Sequence, residues 1–176
     1  MDFDDVTLTA ATTFDTGAAG TGVLDIGNIT SVGNAITLDS GDAAAGGTMT
    51  VGTIADISGG LTIRNAGGLA TIGTLGAGVS GNITVTDSQA GVDFTGTVNA
   101  ATVDLDNTTG DIEFQDNLIA TTLDLAGTGY NLNLHGGVTT ITNAVDFANT
   151  GTVDFGDDGD TLTFTGGLTR TSNVAV

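Results

Sequence analysis

The 176-residue chain has no cysteine, no proline, no tryptophan and no lysine, and its positive side chains are Arg64 and Arg170 against 21 acidic residues. Each absence removes a class of protein. Without cysteine there is no disulfide framework, thiolate metal site or thiol nucleophile. Without lysine the glycines of "GAAGTG" (17–22) cannot form a Walker-type phosphate loop, and Lys-dependent isopeptide cross-links are impossible. A formal net charge of -19 leaves nothing to neutralise a run of phosphates, so nucleic acid and anionic membranes are disfavoured as partners. Such a surface stays soluble by self-repulsion, attracts cations and suits a salty exterior. No apolar run is long enough to span a bilayer, and "MDFDDVTLTA" is acidic where a signal peptide is basic and then apolar. An export address would therefore lie outside this sequence, as expected of a module of a longer protein.

What is present points to strands. The apolar residues, 39% of the chain, are mostly Val, Leu, Ile and Ala, with one Tyr and seven Phe, so the core should be narrow. Thr, Asn, Asp and Gly make up most of the remainder and favour strands and turns over helix interiors. Essentially no helix is expected.

A repeat organises these residues. At a step of about twenty, the second half reads "GNITVTDSQAGVDFTGTVNA", "ATVDLDNTTGDIEFQDNLIA", "TTLDLAGTGYNLNLHGGVTT" and "ITNAVDFANTGTVDFGDDGD". Each block has a short strand near its start, another near its middle and a weaker apolar patch at its end: Val98, then Leu118 with Ile119, then Val138. The fourth block slips by about two residues, as if a turn were lengthened. A short period made of strands alone is the signature of a solenoid. Alternation sends Val103 and Leu105 to one face and Asp104 to the other. If each coil turns once about the axis, the apolar residues meet inside and backbone groups pair with coils roughly 4.8 Å above and below. Corners "NTTGD", "AGTGYN" and "DDGDT" are expected to supply positive-φ positions.

The first half is less regular. Segments "VTL" (6–8), "VLDI" (23–26), "ITL" (36–38), "MTV" (49–51), "LTI" (61–63) and "ITV" (83–85) still read as inward, outward, inward, but "GDAAAGG" and "GTLGAGVSG" stretch the turns. Hairpins of an antiparallel sandwich are the competing arrangement, and the continuity of the pattern favours one rod. The expectation is a single all-β solenoid over 1–176, with irregular coils over 1–80 and regular coils of about twenty residues over 81–176. About eight coils would span roughly 40 Å.

Segments "GDIEFQDNLIATTLDLAGTGYNLNLHGG" and "FANTGTVDFGDDGDTLTFTGGL" resemble the repeat regions of filamentous-haemagglutinin-like bacterial surface proteins, most strongly from Ala101 to Arg170. The resemblance implies a right-handed parallel β-helix, displayed outside the cell as an adhesin or structural stalk. The family's N-terminal secretion domain has no counterpart in this sequence. The ending "GGLTRTSNVAV" could lead into the opening "DDVTLTAATTFDTGAAG", as in tandem arrays. An uncapped coil at each end would offer unpaired N–H and C=O groups, either to further repeats in one chain or to separate subunits stacking head to tail.

The recurring acids are the candidate chemistry. One column runs Asp104, Asp124 and Asp146, and another runs Asp93, Glu113, Asn133 and Asp154. Carboxylates one coil apart repel. They either fan into water among counter-ions or bind divalent cations such as Ca²⁺ between coils. "GDDGDTLTF" (156–164) resembles one copy of a Gly/Asp calcium-binding nonapeptide, adding Asp157, Asp158 and Asp160 to the candidate Ca²⁺ ligands, although such sites need consecutive copies; the plainer alternative is an acidic corner. No cofactor is required by any motif. His135, the single histidine, reads as a surface or edge residue. Polysaccharide lyases and hydrolases also use parallel β-helices, but they need clefts and, for lyases, a basic residue that two isolated arginines do not supply. Threonine rows such as "TLT", "TMT" and "TFT" suggest ice or crystal binding, yet they do not keep one position through every coil. The expected function is non-enzymatic: an extracellular rod, stalk or filament of a bacterial surface, partnered by itself or by neighbouring repeats. An adhesin module of a giant exported protein is the alternative, and a polysaccharide-active enzyme ranks behind both.

Overall fold

A computed structural model of the chain describes residues 1–17, 22–41, 46–106, 108–156 and 159–171. Among them the fold is all-β, without helix, and the parallel strands stack as a β-solenoid of about 7 turns with about 22 residues per turn. At an inter-strand spacing of roughly 4.8 Å the stack is roughly 35 Å long.

Three ladders run along the axis. The first holds Asp2–Phe3, Leu24–Ile26, Met49–Val51, Ala70–Ile72, Val92–Phe94, Ile112–Phe114, Leu132–Leu134 and Val153–Phe155 in chain order, each paired in parallel with the next. The second starts at Val6–Thr7, Ile29–Thr30, Ile54–Asp56 and Leu75–Val79. The third starts at Thr12–Asp15, Ile36–Asp39, Leu61–Arg64 and Asn82–Thr86. These two ladders fuse in the long strands Val98–Asp106 and Leu118–Leu125, then part again into Val138–Ile141 with Thr161–Phe164, and Val145–Asp146 with Leu168–Thr169. Strands of two to four residues are too short to stand alone, so their stability comes from coils on both sides.

Register explains the uneven spacing of the sequence repeat. In the first ladder Asp93 faces Glu113 and Glu113 faces Asn133, steps of 20, whereas Asp2 faces Asp25 and Asp25 faces Thr50, steps of 23 and 25. The longer steps contain the Gly/Ala-rich turns around 18–21 and 42–45, which lie outside the described residues. Steps of 20 to 21 from Asp93 to Asp154, together with the longer ones before them, average about 22 residues over about 7 turns, where about eight coils were expected.

Inside, each alternate residue joins a column of the core. The first ladder stacks Phe3, Ile26, Val51, Ile72, Phe94, Phe114, Leu134 and Phe155 in that order. Phe94 and Phe114 lie face to face, with ring centroids 4.7 Å apart and planes 10° from parallel. Stacking of like on like is what a parallel ladder imposes, because residues one coil apart sit directly over one another. Tyr130 fills the core beside a corner, fully buried, and its hydroxyl has no hydrogen-bond partner among the described residues.

Corner chemistry differs from the sequence expectation. Gly156 and Gly159 do take positive φ, at 70° and 101°. Gly110, Gly127 and Gly129 do not. At Gly110 the reason for glycine is contact between coils: a Cβ there would lie 2.1 Å from the Gly91 nitrogen.

Candidate functional site

Outward side chains form columns as regular as those of the core. In the first ladder the outward column is Asp2, Asp25, Thr50, Thr71, Asp93, Glu113, Asn133 and Asp154, so the four acids and amides aligned from sequence are vertical neighbours. In the third ladder Thr13, Thr37, Thr62 and Thr84 share one position through four coils, and Asp104 and Asp124 then take it over. The threonine row is real but gives way to acid.

Stacked carboxylates carry an electrostatic cost. Partial burial, with the neighbouring Asp124 and Asp106, pushes the Asp104 carboxyl above its ordinary range. Burial and Glu113 do the same to Asp93. The other candidate Ca²⁺ ligands lie on different elements. Asp146 stands opposite Thr169, and its carboxylate accepts from the Thr171 amide (3.1 Å) and hydroxyl (2.7 Å). Asp160 folds back over the corner, where a Cβ on Gly156 would lie 2.8 Å from its Oδ2. Asp157 and Asp158 lie outside the described residues. Among the described residues, no three His, Asp or Glu side chains are grouped to hold a metal ion. Asp104 with Asp124 offers about four carboxylate oxygens where Ca²⁺ takes about six to eight oxygen ligands.

His135 has a role that sequence reasoning missed. Its Nδ1 lies 3.1 Å from Glu113 Oε1 and its Nε2 3.3 Å from Asp154 Oδ2, so the ring spans the carboxylates of the coils before and after its own. Partial burial lowers the imidazole pKa, but the hydrogen bonds that the ring donates to Asp154 and Glu113, and their negative charges, outweigh that and raise it. A usable signal existed in the sequence. Asn133 interrupts the acid column between Glu113 and Asp154, and His135 follows two residues on, just past the end of the strand Leu132–Leu134.

Both arginines are engaged in structure. Arg64 Nε donates to Asp39 Oδ2 at 2.7 Å, while Asp39 Oδ1 accepts from Asn65 Nδ2 (3.0 Å) and the Gly41 amide (2.9 Å). Burial alone would raise the Asp39 pKa, yet these three donors and the guanidinium charge hold it below the ordinary carboxylate range. Arg170 Nη2 donates to the Gly151 carbonyl at 2.7 Å.

Asparagines tie one corner to the next. Asp5 Oδ1 accepts from the Asn28 amide, and Asn28 Oδ1 accepts from the Thr53 amide, each at 2.9 Å. Asn117 takes the Val138 amide and Asn131 takes the Thr152 amide, both at 2.8 Å. Each of these side-chain oxygens, the Asp5 carboxylate and the three carboxamides, satisfies a backbone N–H of the following coil.

The two ends of the stack are where this pairing stops. Interior members of the first inward column, Ile26 through Leu134, are at most 2% exposed, whereas Phe3 is 40% and Phe155 44% exposed, and Leu168 in the last coil is 54% exposed. Phe3 leans edge-on against Phe14, and Phe155 against Phe147 and Phe164. Exposure of the inward side chains thus rises at the first and last described coils.

Ladders, columns and end faces together define a parallel β-solenoid repeat protein. Comparison with family models, curated proteins and solved structures found no match to this chain.

Proposed function

We propose that the chain is a structural, non-enzymatic β-solenoid that works by shape outside a bacterial cell, as a section of a rod, stalk or filament. The observation that carries this reading is the continuity of the coil. The ladders run from the first described coil to the last, and the inward column of the first ladder ends at an exposed Phe on both faces. Such a body is extended by adding coils, whether further along one chain or from another. Its outward faces of Asp, Glu, Thr and Asn keep it soluble and push neighbouring rods apart. Commitment of Arg64 to Asp39 and of Arg170 to a backbone carbonyl agrees with a structural role for the chain's two guanidinium groups. The resemblance to filamentous-haemagglutinin-like repeats agrees with display at the cell surface.

The test is antibody labelling of the organism that makes the protein. Antibodies against the folded rod label intact, unpermeabilised cells if the reading is right. Labelling that requires permeabilisation overturns it.

A further inference from the structure

We propose that the lateral face built by the second ladder docks a second copy of this chain, side by side, with both rods using that same face. The pairing rests on where charge is placed and is independent of where the rod is displayed. The first ladder turns Asp2, Asp25, Asp93, Glu113 and Asp154 outward, and the third turns out Asp15, Asp104 and Asp124. The second ladder instead presents residues such as Thr30, Ala55, Asn99, Ile119 and Thr140. Among the described residues its strands carry one acid, Asp56, whose Oδ1 is taken up by the Ser58 amide (2.9 Å) and hydroxyl (2.6 Å). Val79, Ile119 and Val138 are exposed on this face. All three lie in coils paired on both sides, so nothing at either end of the stack decides their exposure.

A strained turn adds an independent sign of a partner. In Ser31–Asn34 the Asn34 amide donates to the Ser31 carbonyl at 3.1 Å, with φ 49° at Val32 and 77° at Gly33. Two positive φ values make a type I′ turn, which favours Asn-Gly and strains a β-branched residue. Val32 nevertheless stands there, 72% exposed, at the edge of the uncharged face. A strained apolar side chain held in water does nothing for the rod itself and is accounted for by contact with another body.

Charge and pitch identify that body as a second copy. The acidic faces push neighbouring rods apart, because like charges within a Debye length of about 8 Å repel at physiological salt. Two chains of net charge -19 therefore meet with least repulsion through the face that neither lines with acid. The rows on that face recur every roughly 4.8 Å, and another solenoid offers the same pitch, so the rows interleave along the whole contact. The face is about four residues, or roughly 13 Å, wide and roughly 35 Å long, so each copy covers on the order of 450 Å² against about 800 Å² per partner in a standard interface. The pairing is accordingly weak. Because both copies use one face, the contact is isologous and closes at a dimer.

Sedimentation equilibrium of the whole chain at up to about 1 mM, in about 0.15 M NaCl, is the test. The parent forms dimers and nothing larger. Ile119→Asp and Thr121→Asp, which put charge on the face at two exposed positions of one strand, raise the dimer dissociation constant at least tenfold. Thr50→Asp adds the same charge to the first ladder and leaves pairing unchanged. Circular dichroism checks that all three keep the strand content of the parent. Val32→Asn separates docking from folding: it relieves the turn, so the dilute monomer melts no lower than the parent, while the dimer dissociation constant rises several-fold. A parent that is monomeric throughout or grows past the dimer overturns the proposal. So does a set in which Ile119→Asp and Thr121→Asp pair as well as Thr50→Asp, or a Val32→Asn variant that pairs as tightly as the parent. A monomer that still labels intact cells removes the pairing and leaves the rod function standing.

Discussion

His135 shows how a single side chain relieves a problem created by the repeat. Stacking places Glu113 and Asp154 two coils apart on one outward column, and the imidazole bonds to both. Its pKa is raised in the folded chain, so the stabilisation from its protonated form is fully present below the ordinary value near 6.5 and is lost as pH rises through the higher folded value. His135→Gln should therefore cost more stability at about pH 5.5 than at about pH 9, by on the order of 0.5 kcal/mol after solvent screening. Thermal melts at the two pH values measure the difference. Asp104 has no such partner on its column. Its carboxyl is also raised, so at neutral pH the folded state bears a penalty that is relieved as pH falls through the raised value towards the ordinary one near 3.9. Asp104→Asn is expected to stabilise the fold by about 0.5–1 kcal/mol at pH near 7, with the gain closing in acid. Asp39 behaves in the opposite way. Its lowered pKa means that its contribution is present above the unfolded value and lost as pH falls through the folded one. Asp39→Ala, which strands the Asn65 amide, the Gly41 N–H and the Arg64 guanidinium, should cost about 2–3 kcal/mol in denaturant melts near pH 7.

At the scale of strands and corners, the alternation of side chains was legible and the contacts between coils were not. Segments 36–38, 49–51, 61–63 and 83–85 fall inside strands because Val, Ile, Leu and Met alternate there with Thr. The aligned column Asp93, Glu113, Asn133, Asp154 follows from a constant coil length in the second half. Strands such as Ile29–Thr30 and Ile54–Asp56 have two or three residues and one or two apolar side chains, too little pattern to separate from a turn. Their strand character comes from the coils on either side. Glycine shows the same limit. Composition suggests conformational freedom, but several corner glycines are fixed by what lies one coil away. Gly136 is the clearest: a Cβ there would lie 2.1 Å from the Asp116 carbonyl oxygen and 2.3 Å from its carbon. Both atoms are backbone and cannot swing aside. Gly136→Ala must push two coils apart, and a loss of about 1–3 kcal/mol in the denaturant midpoint is expected. The bridge at His135 was hidden for a related reason, since it joins residues 19 and 22 positions away.

For the whole molecule, the repeat does two things at once. A parallel ladder puts like above like, which builds a continuous apolar column inside and accumulates negative charge outside. The interior residues gain from every added coil, because each new coil buries the face that the previous one exposed. The outward acids lose, and salt screens that loss. The ends are where the two tendencies meet, with Phe3 and Phe155 exposed beside Asp2 and Asp154. Hydrogen exchange of the intact chain at low and at high ionic strength addresses this balance most directly. At low salt the amides of Val92–Phe94, Ile112–Phe114 and Leu132–Leu134 should exchange slowly, and those of Asp2–Phe3 and Val153–Phe155 fast. At high salt the account predicts still slower exchange in the central strands, where the stacked Asp93 and Glu113 are then screened. Central strands that exchange as fast as the end strands at both salt concentrations would contradict it.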